Sequence, residues 1–173
     1  MFLGLLVWSL CSAAHAAEKS DSVMLSTVRG SASRVQGWTE QVDKYRFFNV
    51  RQLFDIIDGG AVEYEKSGLV DGIVVSLAGA TGKAAEIYIE NFKSSVRAAA
   101  MIGIKRKNAS SPKQVPGIKG ANAFCDEVIG GCVAYYVKGG LYFEITLTGY
   151  DVAASAATDA MLFVDAFAKD LRK

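Results

Sequence analysis

Period-two alternation interrupted by tight turns is the pattern that most restricts this chain. Leu69 to Ala78 places Ile73, Val75 and Leu77 on one face, and Lys83 to Phe92 does the same with Ala85, Ile87 and Ile89. Successive side chains of a strand point to opposite sides, so alternation of this length marks β-strands. Gly79-Ala80-Thr81-Gly82 between them is turn chemistry. Ala121 to Val128 reads as a further strand. Cys132 to Val137 and Leu141 to Thr148 read as a hairpin closed by Lys138-Gly139-Gly140. Strands joined by short turns have to run antiparallel. With Glu86, Tyr88 and Glu90 pointing outward, the first hairpin is expected to keep one wet face.

Helical periodicity fills the intervals. Asn49 to Gly68 reads as one continuous helix. Asn49 is its N-cap, Gly68 lies just past its end, and Leu53, Ile57, Gly60/Ala61 and Tyr64 share its face. The pair Gly59-Gly60 should cost such a helix about 1 kcal/mol per residue relative to alanine. One account is close approach of a neighbouring backbone; the other is a break between two helices. Ser94 is expected to cap a helix to about Lys105, with Val96, Ala99/Ala100 and Ile102/Gly103 inward. Asp151 is expected to cap a final helix to about Leu171, with Ala157, Ala160/Met161, Val164, Phe167/Ala168 and Leu171 as its stripe. The fold class is therefore α+β. A single antiparallel sheet of five or six strands packs against helices in the order α-β-β-α-β-β-β-α. By analogy alone the layout is similar to α-β-α sandwiches of the PsbP/Mog1 type. A length of 173 residues suits one domain, placed at residues 36–173 behind a loose arm at 17–35.

Gly37-Trp38, Tyr45 and Asn49…Leu53-Phe54…Ile57-Asp58-Gly59-Gly60-Ala61…Tyr64…Gly68 together resemble the signature of a bacterial family of exported proteins of unknown function. Its members share a Gly-Trp followed by an N-L-[FY]-x-x-I-[DN]-G-[GA]-A-x-x-Y-x-x-x-G helix. The resemblance covers about a third of the chain and implies a location and a fold type. It brings no catalytic residue.

The first residues point to the same location. Phe2 to Leu10 is an apolar core and Ala14-His15-Ala16 an A-x-A cleavage site, so residues 1–16 read as a signal peptide. The segment before the apolar core lacks Lys and Arg, which leaves the true start open. Trp8-Ser9-Leu10 offers Cys11 no small residue of the kind that precedes a lipidated cysteine. A cleaved leader and a periplasmic or secreted protein are expected ahead of a lipid anchor, with no integral membrane segment afterwards. Two cysteines then remain, Cys125 and Cys132. In an oxidising compartment they are a candidate disulfide. The alternative is two small buried thiols, and a hairpin turning at Gly130-Gly131 would put them out of register.

Several chemistries are excluded at this level. Lys+Arg of 19 against Asp+Glu of 18 gives no electrostatic case for nucleic acid. The single histidine, His15, sits in the leader, which removes Ser-His-Asp and Cys-His triads and histidine zinc sites. No phosphate-binding G-x-x-x-x-G-K-[ST] is present, and the glycine pairs lack a dinucleotide-site context. No metal and no cofactor are expected. The basic residues Lys105, Arg106, Lys107, Lys113 and Lys119 read as a solvated loop, with contact to an acidic partner or an anionic envelope surface as the alternative.

Carboxylates remain. Asp55 and Asp58 lie three apart with Glu63 beyond, a solvated acidic face or else a hard-cation or acid–base cluster. The candidate ligand-binding residues are Asp55, Asp58, Gly59, Gly60, Trp38 and Tyr64, edging a shallow pocket. The favoured function is a non-enzymatic accessory module binding a small ligand or an envelope protein. A carboxylate-dependent envelope hydrolase is the alternative, and a structural partner subunit a third. An enzyme should show a cleft with converging carboxylates; a binding module should show an apolar groove or patch.

Overall fold

A computed structural model of the chain describes residues 27, 30, 31, 34–57, 59–114 and 122–171. The expected leader, Asp58 and Lys119 lie outside these residues. Eight strands form one open antiparallel sheet: β1 (Trp38–Glu40), β2 (Arg46–Asn49), β3 (Leu69–Gly79), β4 (Ala84–Phe92), β5 (Pro112–Gln114), β6 (Ala123–Val128), β7 (Gly131–Lys138) and β8 (Leu141–Thr148). Their spatial order is β1-β3-β4-β8-β7-β6-β5, and β2 also pairs with β3. Among the described residues, three α-helices with defined bounds accompany them: α1 (Ala61–Ser67), α2 (Ser95–Asn108) and α3 (Ala153–Asp170).

The sheet thus exceeds the expected five or six strands. The additions are β1, β2 and β5, of three or four residues each. Such short segments carry no readable alternation. They are strands because β3 and β6 offer unpaired edges, with Phe47 opposite Ile73 and Lys113 opposite Cys125.

The two faces of the sheet are covered by different helices. Ile73, Val75, Leu77, Ile87, Ile89, Phe143, Ile145 and Leu147 pack with Phe163, Val164 and Phe167 of α3. Phe143 stacks on Phe167 with ring centroids 4.8 Å apart. Phe163 was not in the expected stripe of α3, whereas Ala157, Met161, Ala168 and Leu171 prove to be its half-buried margin. From the expected arm, Ser31 and Val35 are buried; the Ser31 hydroxyl donates to Asp170, and Arg34 pairs with the same carboxylate.

The opposite face is wet only in part: Glu86 and Tyr88 stay partly exposed, whereas Glu90 is buried. Val74, Phe92, Phe124, Val137 and Tyr142 pack there beneath α1 and α2, through Ala61, Tyr64, Ala98, Met101 and Ile102. The inward face of α2 is therefore turned from the one expected, and Val96 is exposed. Helices on both faces make the chain a three-layer sandwich around two apolar clusters.

The segment expected as one continuous helix is broken. Asn49 Oδ1 accepts from the backbone N–H groups of Arg51 and Gln52, and Gln52 Oε1 accepts from the Asn49 N–H. This reciprocal cap starts only a 3-10 turn at Gln52–Asp55. Gly59 then takes φ +70°, and α1 begins two residues later. No atom lies within 4 Å of a Cβ built on Gly59, so backbone conformation and not close approach explains that glycine. Gly68 ends α1 with φ +87°, as its C-terminal position predicts.

Two further expectations are corrected. Asp151 does not cap α3, whose N-cap residue is Val152 without a side-chain bond. The basic segment is not one loop: α2 continues through Lys105, Arg106 and Lys107 to Asn108, and Lys113 lies in β5. Lys105 pairs with Glu144, Arg106 donates to the Ala123 carbonyl and lies over the Phe124 ring, and Lys113 pairs with Glu127. These three charges bind the fold itself, which weakens the case for an anionic surface as partner.

Candidate functional site

The described residues among those proposed from sequence lie in four places. Trp38 is on the α3 face, its ring edge-on to Phe163 at 5.2 Å. Tyr64 is buried on the other face, between α1 and the sheet. Asp55 is exposed at the end of the 3-10 turn. Gly59 and Gly60 line an open hollow with Val62, Glu63, Lys66 and Ile104, where neither Trp38 nor Tyr64 reaches. Among the described residues, no three of His, Cys, Asp and Glu converge as a metal-binding group.

A polar cluster lies between the sheet and the α1–α2 layer. Alternation along β4 and β8 puts Glu90 opposite Tyr142 and Tyr88 opposite Glu144. Glu144 accepts from the hydroxyls of Tyr64 at 3.1 Å and Tyr142 at 3.3 Å, and pairs with Lys105 Nζ at 3.2 Å. Lys105 also lies 4.9 Å from the centre of the Tyr64 ring. Glu90 is 1% exposed and its Oε2 has no hydrogen-bond partner. Burial first, and the Glu144 charge second, hold its carboxyl well above the usual carboxylate range; Lys105 only partly counters this. Burial thus favours the protonated form of Glu90. Glu90 sits inside the packed layer, and Glu144 at its partly exposed margin. Sequence reading missed them because alternation shows that Glu86, Tyr88 and Glu90 share a face, not that a helix covers it. The available signal was α2 itself, whose apolar side needed a face to cover.

The second feature is a cavity of about 460 Å³ between α3 and the β5–β6 edge. Ala154, Ala157 and Met161 of α3 form its apolar wall, and Cys125 of β6 lies at its floor. Lys113 and Glu127, bonded at 2.6 Å, stand at its rim with Gln114 and Thr158. An α-helix laid over a sheet edge leaves such a space where its side chains are small, and the Ala154–Ala157 turn supplies them. Nothing local in the sequence signals this cavity, because its walls come from segments far apart in the chain.

The candidate disulfide is not formed; Cys125 and Cys132 are free and buried. The hairpin turns through Ile129-Gly130, with Gly130 at φ +74°. This register pairs Cys125 with Ala134 and Cys132 with Glu127, two steps apart. Both thiols still face α3 and interact. The Cys132 S–H pushes the Cys125 thiol down, helped by Lys113 and opposed by burial. The same bond, followed by burial, pushes Cys132 up.

No helix among the described residues is long and apolar enough to cross a membrane. No family model matches the chain, and no curated protein matches it in sequence. Among solved structures, the crystal structure of the extracellular domain of PknH from Mycobacterium tuberculosis is similar at 14% identity. That alignment covers 83% of this chain and 91% of the other, with a TM-score of 0.47. A likeness of that degree transfers neither a residue nor a role.

Proposed function

We propose that this chain is an exported, non-catalytic binding module that holds a small ligand in the cavity between α3 and the β5–β6 edge. The observation that carries this reading is the cavity itself. Its volume of about 460 Å³ falls within the roughly 300–1,000 Å³ of small-molecule sites. Its wall of Ala154, Ala157 and Met161 suits an apolar body, while Lys113 and Glu127 at the rim suit a polar head. Export rests on the leader pattern of residues 1–16 and on the resemblance spanning Gly37 to Gly68.

The test uses 8-anilinonaphthalene-1-sulfonate, whose aromatic body and anion match wall and rim. Folded protein should bind it saturably and one to one, with enhanced fluorescence. Ala157→Phe should fill the cavity and abolish binding while leaving the circular dichroism and unfolding midpoint near those of the parent. Unchanged binding by Ala157→Phe would refute the reading.

The alternative, a carboxylate-dependent envelope hydrolase, draws on the raised carboxyl of Glu90 beside Glu144. Glu90 is buried, and the partly exposed Glu144 is already bonded to Tyr64, Tyr142 and Lys105, so the cavity is the better-supported site.

A further inference from the structure

We propose that Cys125, Cys132 and Met161 form a site for a soft monovalent metal ion, Cu(I) being the type ion. The inference rests on the reading of the α3–β6 cavity as the binding site and names what its floor takes.

Three elements contribute these residues to one core cluster. Cys125 comes from β6 and Cys132 from β7, on the same side of the sheet and diagonal to one another in the hairpin register. Met161 comes from α3, is packed on the same core cluster, and shares the cavity with Cys125. The two-step offset keeps the thiols as neighbours without a disulfide, so both are available as ligands. Thiolate and thioether ligands favour soft centres, Cu(I) together with zinc and iron–sulfur clusters. Zinc sites usually take four nitrogen, sulfur or carboxylate ligands in a tetrahedron. The described residues include no imidazole, and the nearby Glu127 carboxylate is occupied by Lys113.

Binding is a ligand exchange without a redox step. Cu(I) arrives already reduced, two Cu–S bonds form to the cysteines, and their two protons leave to solvent. A third, dative bond comes from the Met161 thioether. The resulting complex carries one negative charge; the Lys113 ammonium lines the same cavity, where it is shared with Glu127. The ion fills only the floor of the cavity, leaving the apolar wall for a larger ligand or for the delivering molecule.

The test is an anaerobic titration of reduced protein with Cu(I) in competition with bicinchoninate. One equivalent should be retained, with thiolate-to-copper charge-transfer absorption in the ultraviolet. Cys125→Ser and Cys132→Ser should each lose the ion, and Met161→Leu, which keeps the volume, should hold it less tightly. Bound Cu(I) should also protect Cys125 of the parent chain from alkylation by iodoacetamide, a readout that needs no variant. Failure of the parent to retain Cu(I), retention by either serine variant, or equally tight Zn(II) would each overturn the proposal. If the naphthalene sulfonate binds and Cu(I) does not, the small-ligand reading stands and this one falls. If Cu(I) binds and the dye does not, the reverse holds.

Discussion

Replacing Glu90 by glutamine should make the protein more stable at neutral pH, by an amount that grows with pH. Glu90 is 1% exposed, leaves Oε2 unpartnered, and lies near the Glu144 carboxylate. Its carboxyl pKa is raised in the folded state by burial, then by Glu144, against the partial opposition of Lys105. The folded protein therefore keeps a proton that the unfolded chain releases above the ordinary carboxylate pKa. Stability from this group is full below that unfolded value and falls as pH climbs toward the folded value. The slope inside that window approaches about 1.4 kcal/mol per pH unit, so the two proteins should diverge by on the order of 1 kcal/mol for each unit the window spans. Glutamine keeps the shape and removes the titration. Urea unfolding of both proteins at half-unit steps from pH 4.5 to 8, at matched ionic strength, gives the difference directly. The tyrosines of the cluster are pushed upward, away from this window. The difference curve thus isolates Glu90. Parallel stability curves for parent and Glu90→Gln would refute the burial argument.

Two glycine experiments test the backbone reasoning. Gly59→Ala forces an L-residue into φ +70° and should cost about 1–2 kcal/mol, while Gly60→Ala, at φ −85°, should be neutral or stabilise by up to ~1 kcal/mol. Equal costs in thermal or urea unfolding would contradict the turn at Gly59. A Cβ at residue 131 would lie 1.8 Å from the Leu147 carbonyl oxygen, so Gly131→Ala must push β7 from β8 and should cost more than about 3 kcal/mol. An unchanged unfolding midpoint would mean that the two strands are not so closely paired.

Where local pattern and final structure agree, the reason is that the pattern is a short-range property. Ile73-Val75-Leu77 and Ala85-Ile87-Ile89 alternate whatever surrounds them, and they do become β3 and β4. Ser94 caps α2 through a bond three residues away: its hydroxyl accepts from the Arg97 N–H at 3.3 Å. Several disagreements involve partners distant in sequence, while the missing Asp151 cap and the break at Gly59 are local. Residues 46–49 are a strand only because β3 presents an edge to them. Spacing alone allows Cys125 and Cys132 to bridge or to remain apart, and a turn at Ile129-Gly130 selects the latter. The motif around Gly59 could reflect a close neighbour or a left-handed backbone, and only the empty space around that glycine separates the two. The sequence by itself determined the antiparallel α+β class, most of the long strands and the two long helices, because hydrophobic period and turn chemistry act over a few residues. The tertiary structure alone decided that a second helical layer buries Glu90, that Lys105, Arg106 and Lys113 are held in internal contacts, and that small residues of α3 leave a cavity over Cys125. Burial and enclosure belong to the assembled layers, and no window of the chain contains both sides of them.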